Sequence, residues 1–212
     1  MEAIAPLLRS YPTKHYDKGQ IILCQDAEPQ ACYIIQSGFV KTYTITAEGD
    51  EKPVSFDTKF DVFPVAWAFG KAMVADCYHQ AYTDCELYQV PRDDFLGYIQ
   101  TKPKIVYRFM HYMLDRCLDY QAHVRSLEQA KAADKILHAL NFLTHRFGKK
   151  VARSRVRMML PLTQQDLANF LGLTRETTGT QLKQLQRKGV IDYHQQKYLV
   201  HQDKLDDLLD QK

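Results

Sequence analysis

Apolar residues in the middle of the chain recur at alternating steps of four and three: Val106, Met110, Met113, Cys117, Tyr120, Val124 and Leu127. Such a 3.5-residue repeat predicts one long helix, from about Lys102 to Leu127, carrying the seam of a coiled coil. Thr101 can cap it, and Pro103 is tolerated in a first turn. Phe109, Leu114 and Leu118 form a second stripe, expected to face the helix's own domain. One helix with two apolar faces needs two partners, so a parallel homodimer is expected over a monomer. Before this helix, from about Tyr16 to Val90, short apolar runs alternate with turn residues. QIILC, CYIIQ, FVKTYTI, PVSF and CELYQV read as strands, punctuated by Gly19, Ser37-Gly38, Glu48-Gly49-Asp50 and Thr83-Asp84. Short strands at this spacing predict an antiparallel roll or sandwich. Arg92 to Ile99 reads as a short helix, and Lys131 to Arg146 as another, with Ile136, Leu137, Leu140 and Leu143 inward.

The stretch Leu162 to Val200 carries the chemistry. Thr163 is an N-cap, and Asp166 can close a capping box. Leu167, Phe170 and Leu171 give the first helix one apolar stripe. Gly172 stands where the chain must turn sharply. Thr174 caps a second helix, with Thr178, Leu182 and Leu185 inward and Gly189 at its end. Val190 to His194 and Lys197 to Val200 alternate as two strands around Gln195-Gln196. Helix, turn, helix and hairpin describe a winged helix-turn-helix, which sets its second helix in the DNA major groove. Arg175 and Glu176 lie in that helix's first turn. Arginine can bond guanine O6 and N7 together, and a carboxylate can accept from cytosine N4. Thr180 and Lys183 follow on the same helix. Gln164, Gln165, Thr174, Thr177 and His194 are placed to anchor phosphates, with Gly179 and Lys197 also at the expected interface.

The segment LTRETTGTQLKQL resembles the recognition helix of the Crp/Fnr family of bacterial transcription regulators. The resemblance implies that Arg175 and Glu176 read the half-site. Where the family often carries a further arginine one turn later, this chain has Gly179 and Thr180. The order of strands from Gly19 to Phe56 is similar to that family's cyclic-nucleotide-binding roll, so the resemblance spans nearly the whole chain. It implies an α+β protein: an antiparallel roll sensor over 1–100, a dimerisation helix over 101–128 and a winged helix-turn-helix over 129–212. A hinge is expected near Leu127 to Ala132. The implied partners are a pseudo-palindromic double-stranded DNA operator, a second copy of the chain, and RNA polymerase.

Charge sharpens this picture. Between Arg146 and Val200 stand eleven Lys and Arg against Asp166, Glu176 and Asp192, making that segment +8 and the remainder −5 in a chain of net charge +3. Such asymmetry is the footprint of a phosphate-backbone binder. Arg153, Arg155 and Arg157 alternate as one face of a strand would, either touching phosphates or simply solvated. No apolar run approaches the ~20 residues of a membrane span, and the N-terminus is no secretory signal, so a cytoplasmic protein is expected. There is no nucleophile–base pairing, glycine-rich phosphate loop or H-E-x-x-H helix, so no enzyme is expected.

Family members that bind cyclic AMP use a Gly-Glu pair and a downstream Arg-Ser pair. Here Pro64 and Val65, then Ala75 and Asp76, stand at the matching positions. A buried phosphate needs a cation, and an acid in its place repels it. Cyclic AMP is therefore not expected to bind in the usual pose. Trp67 and Phe69 are expected to fill the loop, while Tyr120 and Gln121 fall where the family's long helix meets its effector. The alternatives are a roll for another effector, such as a cyclic dinucleotide or a metabolite, and a roll that senses nothing. The five cysteines include no C-x-x-C pair, and an N-terminal cysteine cluster for iron–sulfur sensing is absent. Cys77, His79 and Cys117 keep a haem or redox sensor as a further alternative; no cofactor and no metal are expected.

Overall fold

The computed structural model describes residues 4–194 and 197–210, with only the backbone of His194. The chain divides into compact units bounded by Met1–Asp115 and Arg116–Lys212. The dividing line crosses the long helix, upstream of 127–132.

In the first unit, α1 (Ala5–Leu8) precedes β1 (Thr13–Tyr16), β2 (Ile21–Leu23), β3 (Cys32–Ser37), β4 (Val40–Ile45), β5 (Glu51–Asp57) and β6 (Val62–Phe63). Then come α2 (Val65–Ala68), β7 (Tyr78–Ala81), β8 (Cys85–Val90), α3 (Arg92–Gln100) and the start of α4 (Pro103–Glu128). Two four-stranded antiparallel sheets, β1-β8-β3-β6 and β2-β7-β4-β5, make the expected roll. Strand β3 shows why this sequence folds so: Tyr33 and Ile35 point between the sheets, while Cys32 and Ile34 point outward under the helices. All four are buried, because both faces of this strand are covered. Phe95 and Ile99 of α3 and Phe109 and Tyr112 of α4 supply that cover, and the Val62 amide donates to Tyr112 Oη at 3.1 Å.

Thr101 does not cap α4. It ends α3, its amide donating to Gly97 O. Leu114 and Leu118 also depart from expectation, standing 52% and 61% exposed. At about 100° per residue, Leu114 lies about 140° round the helix from Phe109, on the seam side. The inward face is instead Ile105, Phe109, Tyr112 and the half-buried Met113, a residue expected wholly in the seam.

The second unit contains the rest of α4, α5 (Ala132–Phe147), β9 (Gly148–Ala152), β10 (Arg155–Met158), α6 (Gln164–Leu171), α7 (Arg175–Arg187), β11 (Ile191–His194), β12 (Lys197–His201) and α8 (Gln202–Asp210). One antiparallel sheet, ordered β11-β12-β10-β9, backs the helices. Val156, Ile191, Tyr198 and Val200 turn inward, and α5 contributes Ile136, Leu137, Leu140 and Leu143 to the core. Among the described residues, no helix is long and apolar enough to cross a membrane.

Candidate functional site

The expected capping chemistry builds the helix-turn-helix. Thr163 Oγ1 accepts from the Asp166 amide at 3.0 Å and donates to the Asp166 carboxylate, so the cap is made and the Asp166 side chain is held against it through the hydroxyl. Gly172 ends α6 at φ 62°, a left-handed angle that favours glycine. Thr174 Oγ1 accepts from the Thr177 amide at 3.1 Å, so α7 begins at Arg175. Thr178, Leu182 and Leu185 bury the inner face of α7, and the Gln186 side chain donates to Tyr193 O, tying the helix to the wing.

This sealed inner side leaves Arg175, Glu176, Thr180 and Lys183 exposed. Neither Arg175 nor Glu176 has an ion-pair partner among the described residues. Arg187 extends the row from Glu176, Thr180 and Lys183; the repeated four-three spacing was the signal for it. Gln165 and Thr174 are exposed beside the turn, with Gln164 and Thr177 partly covered. Gly179, expected at the interface, is buried on α7, with Gln164 Oε1 of α6 3.0 Å from where its Cβ would be. Lys197 is exposed at the start of β12. The His194 side chain and the Gln195-Gln196 turn lie outside the described residues.

The end of α4 is bound into this unit. The His123 ring stacks on Phe170 of α6 with centroids 3.6 Å apart and planes 7° apart. Its Nε2 donates to Phe170 O at 2.9 Å, one of the last carbonyls of α6. Nearby, Arg116 and Arg146 both reach Asp119 at 3.1 Å.

Residues 13–102 match the cyclic nucleotide-binding domain, and residues 134–208 match the Crp-like helix-turn-helix domain. The chain belongs to the Crp/Fnr family of transcription regulators. It is 27% identical to the electron transport regulator A of Shewanella oneidensis, over 84% of this chain and 70% of that relative. Identity to the fumarate and nitrate reduction regulatory protein of Yersinia pestis is also 27%, with the same coverage. The fold is that of FixK2 from Bradyrhizobium japonicum, with TM-score 0.77 and 19% identity over 93% of this chain and 96% of that one. The Shewanella and Yersinia relatives are both named as regulators.

Inside the roll, the positions expected to face an effector are arranged unlike a phosphate site. Pro64 is buried at the start of α2, and Val65 packs into the core under the helices. Ala75 is buried, exchanging backbone hydrogen bonds with the 26–27 segment, while Asp76 is exposed. Phe69 stacks on Phe109 at 5.2 Å, and Arg92 lies over Trp67 with its Nε donating to Ala68 O. Trp67 thus packs against the core under the helices with Arg92 over it, whereas Phe69 departs from expectation, standing 37% exposed against Phe95 and Phe109. Tyr120 and Gln121 are exposed on α4.

The register of β4, β5 and β7 brings Thr42, Ser55, Asp57 and His79 together in the buried interior. Thr42 Oγ1 donates its one proton to Asp57 Oδ2 at 2.9 Å, and Ser55 donates there too. His79 Nδ1, 3.0 Å from Thr42 Oγ1, must then be the donor in that contact. The neutral ring is thereby fixed with a bare Nε2, for which the described residues offer no partner. Phe63 stacks on the ring at 4.3 Å, and burial lowers its pKa to about 4. Sequence reasoning noticed His79 only beside Cys77. Burial pushes the Cys77 thiol up to about 11, away from the thiolate a metal requires, and no cluster of three candidate metal ligands occurs among the described residues.

Proposed function

We propose that this regulator acts as a homodimer on a pseudo-palindromic operator, with Arg175 and Glu176 reading base edges. The observation that carries the reading is the first turn of α7, where both side chains stand exposed and unpaired on a helix sealed from behind. Thr180 and Lys183 flank them, and Gln164, Gln165, Thr174, Thr177, His194 and Lys197 hold phosphates. Val106, Met110, Cys117, Tyr120, Val124 and Leu127 are exposed and serve as the dimer seam, joined by Leu114 and Leu118. RNA polymerase is the partner that a bound regulator would recruit or exclude.

Selection of bound duplexes from a random pool tests the reading. The expected result is an inverted repeat with half-sites about one helical turn apart, recovered by a protein that sediments as a dimer. Asymmetric single sites bound by a monomer would overturn it.

The roll serves an effector other than cyclic AMP. Ala75 and Asp76 supply no cation for a cyclic phosphate, and calorimetry with cyclic AMP should show no binding heat; micromolar binding would refute this. A cyclic dinucleotide or another small effector remains compatible with the bare His79 Nε2. A haem or redox reading would draw on Cys77 and His79, and a Soret band in freshly purified protein would support it.

A further inference from the structure

Outside the helix-turn-helix, the sheet of the second unit carries an unusual outer face. Arg157 lies directly across from Lys149 on β9, and on its other side from Leu199 on β12. Arg155 lies across from His201, two residues along the same strand and therefore on the same face. Lys197 adds a fourth cation, two residues before Leu199. All four are exposed, and none has an ion-pair partner among the described residues. The acid on this face, Asp192, is 3.4 Å from the His201 imidazole.

Like charges directly opposite one another weaken a strand pair. The Lys149–Arg157 pair is such an arrangement; a lysine can guard the open edge at β9, but that needs no second cation facing it from the interior strand β10. A locally unfavourable choice of this kind marks a surface shaped by a partner. The face is continuous with the wing, since β10 pairs with β12 and β12 with β11, which packs beside α7. Arginines on a flat sheet suit bidentate pairing with phosphate oxygens.

We infer that the outer face of β9–β10–β12 binds the phosphate backbone of DNA flanking the half-site read by α7. This rests on the proposed reading of α7 and adds a second, sequence-independent surface to it. Lys149, Arg155 and Arg157 contribute charge and no base selection, so they govern affinity and salt dependence but not the operator sequence.

The test compares two duplexes by fluorescence anisotropy: the selected operator alone, and the same operator extended by about one helical turn on each side. Wild-type protein should bind the extended duplex about tenfold more tightly, with a steeper salt dependence. The K149Q/R155Q/R157Q variant should lose that preference and lower the salt slope on the extended duplex by about 2–3 per protomer. Its affinity for the short duplex, and its selected sequence, should not change. R155K/R157K, which keeps the charge but not the planar fork, should retain the salt slope and a reduced preference for the extended duplex. A thermal melt should show the triple variant as stable as wild type or slightly more so, because the facing charges are gone. Equal wild-type affinity for the two duplexes, or a triple variant that keeps the wild-type preference and slope, would overturn this surface while leaving α7 intact. Normal DNA binding with lost transcription activation in the triple variant would overturn it in favour of an acidic protein partner. Failure of the wild type to bind either duplex would defeat the reading of α7 and this surface with it.

Discussion

The roll buries an imidazole nitrogen that has no partner among the described residues, whereas the helix-turn-helix unit buries unmatched hydroxyls, Thr144 Oγ1 and Thr178 Oγ1, and sets its unmatched charges outside. In the roll, the chain from Asp57 through Thr42 to His79 ends on a bare Nε2 among buried side chains. Such an acceptor lowers stability and is kept dry by its neighbours. In the second unit, Arg175, Glu176, Arg155 and Arg157 are solvated and lose little by waiting. The contrast separates two settings for an unmatched group: one buried at fixed geometry by strand register, the other mobile charge in water, which can gain by releasing counterions from a polyanion.

The largest effect expected from this contrast is on stability against pH. His79 is held near 4, below its ordinary 6.5, so between these values the unfolded chain takes up a proton that the folded chain refuses. The contribution is fully present above about pH 6.5 and lost as pH falls toward 4, by roughly 3 kcal/mol in all. Urea unfolding of wild type and His79→Asn at pH 7 and pH 4 should show a smaller decline in the variant. Parallel declines would mean that the ring is not shielded as described.

Next comes Arg175→Ala, expected to cost ~1–3 kcal/mol of operator binding and to relax one base position in selection. Unchanged affinity and selectivity would remove Arg175 from base readout. His123→Ala should then cost about 2 kcal/mol of stability in the second unit, and His123→Phe about 1, since the ring survives but Phe170 O loses its donor. Equal losses in the two variants, measured by urea unfolding, would leave the hydrogen bond to Phe170 O as the whole of the interaction and give the stack no part in it. The smallest effect is the cap: Thr174→Ala should lower stability by about 1 kcal/mol, and Thr174→Ser by much less.

What was legible in the sequence was local chemistry. Thr163, Asp166, Gly172 and Thr174 act on neighbours within a few residues, so both helices and their turn could be placed from side-chain type alone. The roll strands were recognisable where apolar residues dominate, as in CYIIQ. Strand β1 was harder, since in Thr13–Tyr16 Tyr16 alone is buried and the rest looks like a polar loop. The apolar stripes of α4 were divided in the wrong place, because Leu114 and Leu118 stand exposed beside Val106, Met110 and Val124 while Met113 is half-buried against the core. His79, Thr42 and Asp57 meet only through strand register, and His123 reaches Phe170 across 47 residues. No short-range pattern announces either contact.

Strand β9 ends its sheet with every residue exposed. An open row of amides and carbonyls invites a strand from another molecule, and lysines and bulges are common guards against it. Lys149 and Lys150 stand on that border, and the pairing with β10 is bulged at Arg155/Val156. Lys149 and Lys150 thus keep neighbouring molecules from polymerising sheet to sheet, and a hairpin stripped of them should be stored dilute.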